Sequence, residues 1–432
     1  MIHVFFLLIY TFFFSISNCN DFSDYKTYKK SKINLNIQKI SQEKFHYPWA
    51  ITFLDRDNIL VTEKKGNIFK INTSNGDRFK IKHNIPHIEF RHGQGGLLDV
   101  YKHSDGYIYF TYSHDFKDKT KIGRSSNYSS TAVARGKLQN NEIVDLETLL
   151  IAKPKLDTDK HWGARIVIKD DFLFVGFGER DKGMIAQNPQ KHPGSIIRIK
   201  TDGTIPTDNP AYLGFEDWLP EIYQIGMRNP QGMAISPKNG EIYFSQHGPM
   251  GGDNIGIVKF AGNYGWKDIA WGGKEYSGRK IGTKDFKDIY NKNLITWVPS
   301  IAVGNIQFYK GETFYEWKEN LIVSATKTKL LARLVFDGPK IIDQEIIIKD
   351  DKRIGRIRDF EIDHEGNILV ISDSSPSYLW KISRDYSMPS KAEQNWSASN
   401  CAKSSFDSPV PIKEIGILSF SAIGIKAPPL AD

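Results

Sequence analysis

The stretch RNPQGMAISPKNGEIYFSQHGPMGGD, Arg228 to Asp253, holds two short runs of apolar, aromatic and β-branched residues joined by Pro237-Lys238-Asn239-Gly240. Asn-Gly tolerates the positive φ of a tight turn, so the two runs are expected to pair as an antiparallel hairpin. Its ends carry more than a hairpin needs. Arg228 and Asn229 precede the first run, and the glycine-rich loop HGPMGGD follows the second. Polar groups and permissive backbone at both ends are more than a turn requires.

The pattern recurs: an apolar strand, a turn of Gly, Asp or Asn, a second strand ending in a polar loop, then a third strand. It appears as PWAITFLDRDNILVTEKKGNIFKI from Pro48, GGLLDVYKHSDGYIYFTYS from Gly95 and GARIVIKDDFLFVGFGER from Gly163. It returns as QGMAISPKNGEIYFSQHG from Gln231, in the region from Gly304, and as IRDFEIDHEGNILVISDSSPSYLWKI from Ile357, six copies in all. Short strands with almost no helical periodicity make the chain all-β. A repeated antiparallel unit cannot bury both faces alone, and radial packing of six such units gives a six-bladed β-propeller over residues 20–383. A stacked β-solenoid would need shorter, more regular repeats. The long spacings at 201–221 and 268–296 are expected to be insertions lying as loops on one face.

The flanks differ from the repeats. Residues 1–19 are expected to be a signal peptide: the apolar run from Val4 to Ile16 is too short for a membrane span, and Ser15-Ile16-Ser17 offers a small-x-small cleavage site. This predicts a periplasmic or secreted protein with no stable membrane span after cleavage. Loss of Cys19 would leave only Cys401, hence no intramolecular disulfide. Residues 384–432 form a tail rich in Ser, Pro and Ala. Around Cys401 it lacks the second cysteine and the histidine of a haem-attachment motif, so it is a degenerate cytochrome-c-like remnant or a coincidence, and haem is not expected. The net charge is +8 in 432 residues, but lysines are scattered through turns without a basic helix, so nucleic acid is not an expected partner.

In a propeller, polar residues at the starts of inner strands converge on the central channel. His161 precedes the third repeat, Gln94 the second, Arg228 and Asn229 the fourth; Arg356 and Arg358 flank the start of the sixth, and Lys327 follows NLIVSAT in the fifth. A lone histidine beside Trp162 is commonly a packed residue, and a lone lysine at a strand end is commonly solvated. Placement at corresponding repeat positions favours a shared site. Four cations facing one channel repel unless an anion sits among them, and a multiply carboxylated cofactor would satisfy them.

From about Pro48 to Ile382 the chain resembles the soluble PQQ-dependent sugar dehydrogenases, the aldose sugar dehydrogenase and soluble glucose dehydrogenase family. The matching pieces are GQGGLLDV, HWGARIVI, NPQKHPGSIIRIKTDGTIPTDNP, GMRNPQGMA, HGPMGGD, NYGW, WVPSIA and GRIRD, in collinear order. The resemblance implies a six-bladed propeller holding pyrroloquinoline quinone with Ca2+, oxidising aldose sugars to lactones by hydride transfer and passing electrons to an unidentified acceptor. It implies that His161 is the general base, that Gln94 bonds a sugar hydroxyl, and that Arg228 and Asn229 stand at the reacting quinone oxygens. It places Lys327, Arg356 and Arg358 against the cofactor, and the carbonyls of Gly248 and Pro249 on the calcium. Four positions depart from the pattern. Glu179 replaces the aspartate that orients the base, Ser300 to Asn305 changes a loop near the cofactor, Asn254 replaces a carboxylate near the metal, and Lys160 stands where a glucose-specific member carries an acid. Two rival readings are a catalytically inactive propeller binding carbohydrate or protein, and a calcium-dependent lactonase. The latter wants converging Glu, Asn and Asp ligands where this chain supplies Arg and Lys.

Overall fold

The protein is described by a computed structural model covering residues 22–90, 93–116 and 128–387. The signal peptide expected at 1–19 lies outside these residues, as does the tail from 388 onward with Cys401. Six antiparallel sheets form a ring, confirming the propeller. Their innermost strands are Pro48–Phe53, Leu97–Lys102, Gly163–Lys169, Pro230–Ile235, Val303–Phe308 and Ile357–Ile362. Each packs beside the next, and the last packs against the first. Among the described residues the helical segments are short 3-10 turns, and no helix is long and apolar enough to cross a membrane.

The opening hairpin forms as expected, with Met233 opposite Phe244, Ala234 opposite Tyr243 and Gly240 at φ 67° in the turn. Second strands are buried on both faces, so alternate residues serve different neighbours. In Asn58–Glu63, Ile59 and Val61 pack toward the sixth blade while Leu60 packs toward the second. The core is accordingly six wedges, one between each pair of adjacent blades. Each fully buried aliphatic or phenyl side chain in a wedge contributes about 1.5–3 kcal/mol of transfer free energy.

Two features lay outside the repeat pattern. The sixth blade takes its outermost strand from the N-terminal side: Leu35–Lys39 pairs antiparallel with Trp380–Arg384, Ile37 opposite Ile382, which closes the ring. Every innermost strand also carries a register shift at its start: Pro48/Ala50, Leu97/Val100, Gly163/Ile166, Pro230/Gly232, Val303/Ile306 and Ile357/Asp359. Such bulges re-aim the extra residue. The residues released from the ladder include Trp49, Asp99, Arg165, Gln231 and Arg358, which supply the channel's polar groups.

The expectation that both insertions lie on one face is corrected. Residues 201–221 join the bottom ends of two third-blade strands, where the Thr201 carbonyl accepts from Arg135 Nη1 at 2.8 Å near the Asp105 turn. Residues 268–296 instead rise beside the HGPMGGD loop, and Met250 N–H donates to the Lys274 carbonyl at 3.1 Å. Strand direction decides this, because the first insertion connects bottom ends while the second continues past the outer edge of the sheet.

Candidate active site

Inner strands begin at one mouth of the channel, and second strands end there. The residue just after the second strand is Lys64 in the first blade, His247 in the fourth, Thr326 in the fifth and Asp373 in the sixth. All four line a cavity of about 250 Å3, together with Trp49, Gln94, Trp162, Asn229, Arg356 and Arg358. Lys64, Arg356 and Arg358 converge on the Asp373 carboxylate at 3.5, 3.6 and 2.8 Å. Burial alone would raise the Asp373 carboxyl, but Arg358 and Lys64 outweigh it and hold it well below the usual range. Three cations on one carboxylate leave positive charge over.

His161 stands beside this cavity with φ 53°, a left-handed conformation held by close packing. Gly178 makes room for it, since a Cβ there would lie 1.9 Å from the His161 carbonyl oxygen. The imidazole is held from both sides. Nδ1 lies 2.6 Å from Glu179 Oε1, whose partner oxygen accepts the Gly183 N–H at 2.6 Å, and Arg228 Nη2 lies 3.1 Å from Nε2. With Nδ1–H donating to Glu179, Nε2 carries the lone pair. Burial lowers the imidazole pKa, Glu179 opposes that shift, and the Arg228 charge reinforces it. The ring is therefore a neutral acceptor near pH 7.

The remaining partners tie the loops together. Gln94 Oε1 accepts the His161 N–H at 2.8 Å, while Asn229 Oδ1 accepts the Gly163 N–H at 3.0 Å. Arg228 Nη1 donates to the Gly248 carbonyl at 2.8 Å, so this guanidinium bridges the base and the HGPMGGD loop. Buried Asp253 accepts from Gly248 N, Ser300 Oγ and Ala302 N at 2.8, 2.8 and 2.6 Å, which pins that loop to the altered 300–305 segment. Asn254 is committed locally: its Nδ2 donates to the Gly252 carbonyl at 2.8 Å. At the rim, Lys160 pairs with Asp181 at 2.9 Å. Asp181, His161 and Glu179 place one ligand atom each within 4.8 Å of one another, but Lys160 and Arg228 already bond to two of them, which suits a base with carboxylate neighbours better than a metal centre.

The structure thus brings together His161, Glu179, Arg228, Asn229, Gln94, Arg356, Arg358 and Gly248, with Pro249 buried beside them. It does not bring Lys327 into the lining. Lys327 is exposed while its neighbour Thr326 lines the cavity, because the strand ends at Ala325 and the turn that follows carries the chain away from the channel. The fourth cation is Lys64. Lys64, His247 and Asp373 escaped the sequence reading, although aligning the repeats on the residue after the second strand would have found them.

The site fits an anionic, multiply carboxylated group. Arg228 Nε, Arg358 Nε, His247 Nε2 and Trp162 Nε1 are buried without hydrogen-bond partners, and burial with the nearby Arg358 and Arg228 charges pushes the His247 imidazole down to about 3. For a calcium ion the loop offers only neutral oxygens, since the Asp253 carboxylate is already committed. The negative charge would have to come from the bound group.

The glucose/sorbosone dehydrogenase family profile matches residues 45–381. The aldose sugar dehydrogenase YliI of Escherichia coli K12 is 33% identical over 359 residues, covering 81% of this chain and 93% of that protein. Quinoprotein glucose dehydrogenase B of Acinetobacter calcoaceticus is 24% identical, covering 81% and 87%. Among solved structures, the apo-form of the soluble aldose sugar dehydrogenase from Escherichia coli superposes with a TM-score of 0.74 at 30% identity, covering 82% of this chain and 100% of that one. With these matches running through every blade, the chain belongs to the glucose/sorbosone dehydrogenase family, the soluble sugar dehydrogenases that its motifs resemble.

Proposed function

We propose that the chain is a periplasmic or secreted quinoprotein that oxidises an aldose at the anomeric carbon to a lactone, with electrons leaving to an acceptor still to be identified. The observation that carries this reading is His161: a neutral imidazole, locked through Nδ1 by Glu179, whose Nε2 accepts from Arg228 and whose neighbours Gln94 and Trp162 line a cavity carrying surplus positive charge. Bound there, pyrroloquinoline quinone would supply the hydride-accepting chemistry and Ca2+ at the Gly248 and Pro249 carbonyls its Lewis acidity. The names of the relatives, an aldose sugar dehydrogenase and a quinoprotein, support the substrate class and the cofactor.

Each residue then has a physical task. His161 Nε2 takes the proton of the anomeric hydroxyl, and Glu179 stabilises the imidazolium that forms. Arg228 keeps a fixed cation beside the reacting atoms, where negative charge develops. Lys64, Arg356 and Arg358 would hold the cofactor's carboxylates, with Asp373 keeping the three cations in register. Gln94 uses its Oε1 on the His161 backbone, which leaves its amide N–H groups for a sugar hydroxyl.

The 2.6 Å contact of Glu179 with the His161 imidazole supports the catalytic reading over an inactive propeller, since the longer arm still reaches the base. Reconstitution of the purified protein with pyrroloquinoline quinone and Ca2+, followed by dye reduction with a panel of aldoses, tests the proposal. Turnover with at least one aldose is expected. Cofactor binding with no reduction by any sugar would sink it.

A further inference from the structure

Below the cation-lined mouth the channel is plugged. Arg165 meets Asp99 at 2.9 Å and Asp359 at 3.2 Å, and its Nε donates to the Gln231 carbonyl at 2.9 Å. Two residues further along the inner strands, on the same inward face, stand Tyr101, Val167, Met233, Gln307 and Glu361. They line a second cavity of about 480 Å3 at the opposite mouth, and no residue lines both cavities.

Its chemistry is the reverse of the first. Asp99 and Asp359 share one arginine, and among the described residues no Lys, Arg or His nitrogen lies within 4 Å of the Glu361 carboxylate. Of the other charged groups of the lining, Lys310 and His364 are exposed and Asp363 is buried with a partner of its own. Asp363 is held by Lys381 at 3.1 Å, and His364 Nε2 accepts from Arg56 at 2.8 Å. Val167, Met233 and Phe308 supply an apolar wall, which a hydrated inorganic ion would not use.

We propose that this far mouth is a binding site for a small organic cation, a protonated amine whose ammonium pairs with Glu361 and whose hydrocarbon part lies along Val167, Met233 and Phe308. Tyr101, an aromatic side chain, lines the same cavity. Burial, reinforced by the Asp359 charge, raises Glu361 to about 8. Near pH 7 much of it is protonated, and an arriving ammonium expels that proton. The site is independent of the cofactor cavity and does not rest on the catalytic reading.

Calorimetric titration of the purified protein with benzylammonium, against the neutral benzyl alcohol, tests this. Saturable benzylammonium binding is expected, with proton release seen as a heat that depends on the buffer. Benzyl alcohol and the Glu361→Gln variant should each weaken binding about tenfold or more, the loss of one charge-assisted contact. Lys310→Glu reverses a charge at an exposed rim position and should tighten binding by roughly twofold to fivefold. Equal affinity for the alcohol, an unchanged affinity in Glu361→Gln, no tightening in Lys310→Glu, or displacement of the amine by pyrroloquinoline quinone would each overturn the proposal. So would equally strong competition by K+.

Discussion

Arg165 in the middle of the channel meets two carboxylates, whereas Asp373 at the mouth meets three cations. Trp49 separates them, its ring 4.7 Å from the Arg165 guanidinium and 5.9 Å from that of Arg358. In the first cluster the carboxylates also accept backbone N–H groups from the next blade, Ile166 to Asp99 at 2.6 Å and Ile51 to Asp359 at 2.8 Å. That cluster stitches the ring together. In the second, Arg358 Nε is buried without a hydrogen-bond partner and the three cations border an open cavity. The first cluster is tied to the backbone of neighbouring blades and serves the fold, whereas the second faces a cavity and is open to a ligand.

The difference can be broken or sharpened from its two sides. Replacing the base, His161→Ala, should lower turnover by about 10²–10⁴-fold while cofactor affinity, read by fluorescence titration, stays nearly intact. Loss of cofactor binding instead would make His161 a scaffold residue. Arg165→Met strands two buried carboxylates and should cost about 3–5 kcal/mol in urea unfolding. A cost near zero would place the channel cluster with the mouth cluster. Arg358→Met leaves Lys64 and Arg356 on Asp373, so stability should change little while cofactor affinity drops by about tenfold to a hundredfold, one charge-assisted hydrogen bond.

The smallest effect concerns pH. The His161 pKa lies below the imidazole reference of 6.5, so the base is lost only as pH falls through that lowered value. The acid limb of kcat/KM should therefore have its midpoint below 6.5, and a midpoint above it would contradict a buried, neutral base. Stability should run the other way. Burial raises Asp99 to about 7, and burial with Asp359 raises Glu361 to about 8, so the folded state holds protons that the unfolded chain has lost. Their contribution is fully present below the unfolded carboxylate values of 3.8 and 4.5, declines as pH rises above them and is lost by about 7 to 8, a trend that urea midpoints from pH 4 to 8 would show.

Much of this was legible in the sequence. The repeats fixed strand, turn and blade number because alternation and Asn-Gly chemistry are local properties, and Arg228, Asn229, His161 and Arg358 could be named because they stand at strand starts. Lys327 shows where such reading fails. It lies one residue from the lining position, and a single-residue step exchanges the channel for solvent. Lys64 and Asp373 looked like ordinary turn charges, since nothing local reveals that residues 309 positions apart share one ion pair.

By itself, then, the sequence determined an all-β propeller and the cast of polar groups at one end of its strands. Tertiary structure alone decided which cations meet, how Leu35–Lys39 closes the sixth blade, and how bulges turn Asp99, Arg165 and Arg358 inward. Local pattern sets what each strand can bury. Ring closure and register set the distances between strands, and charge acts through distance.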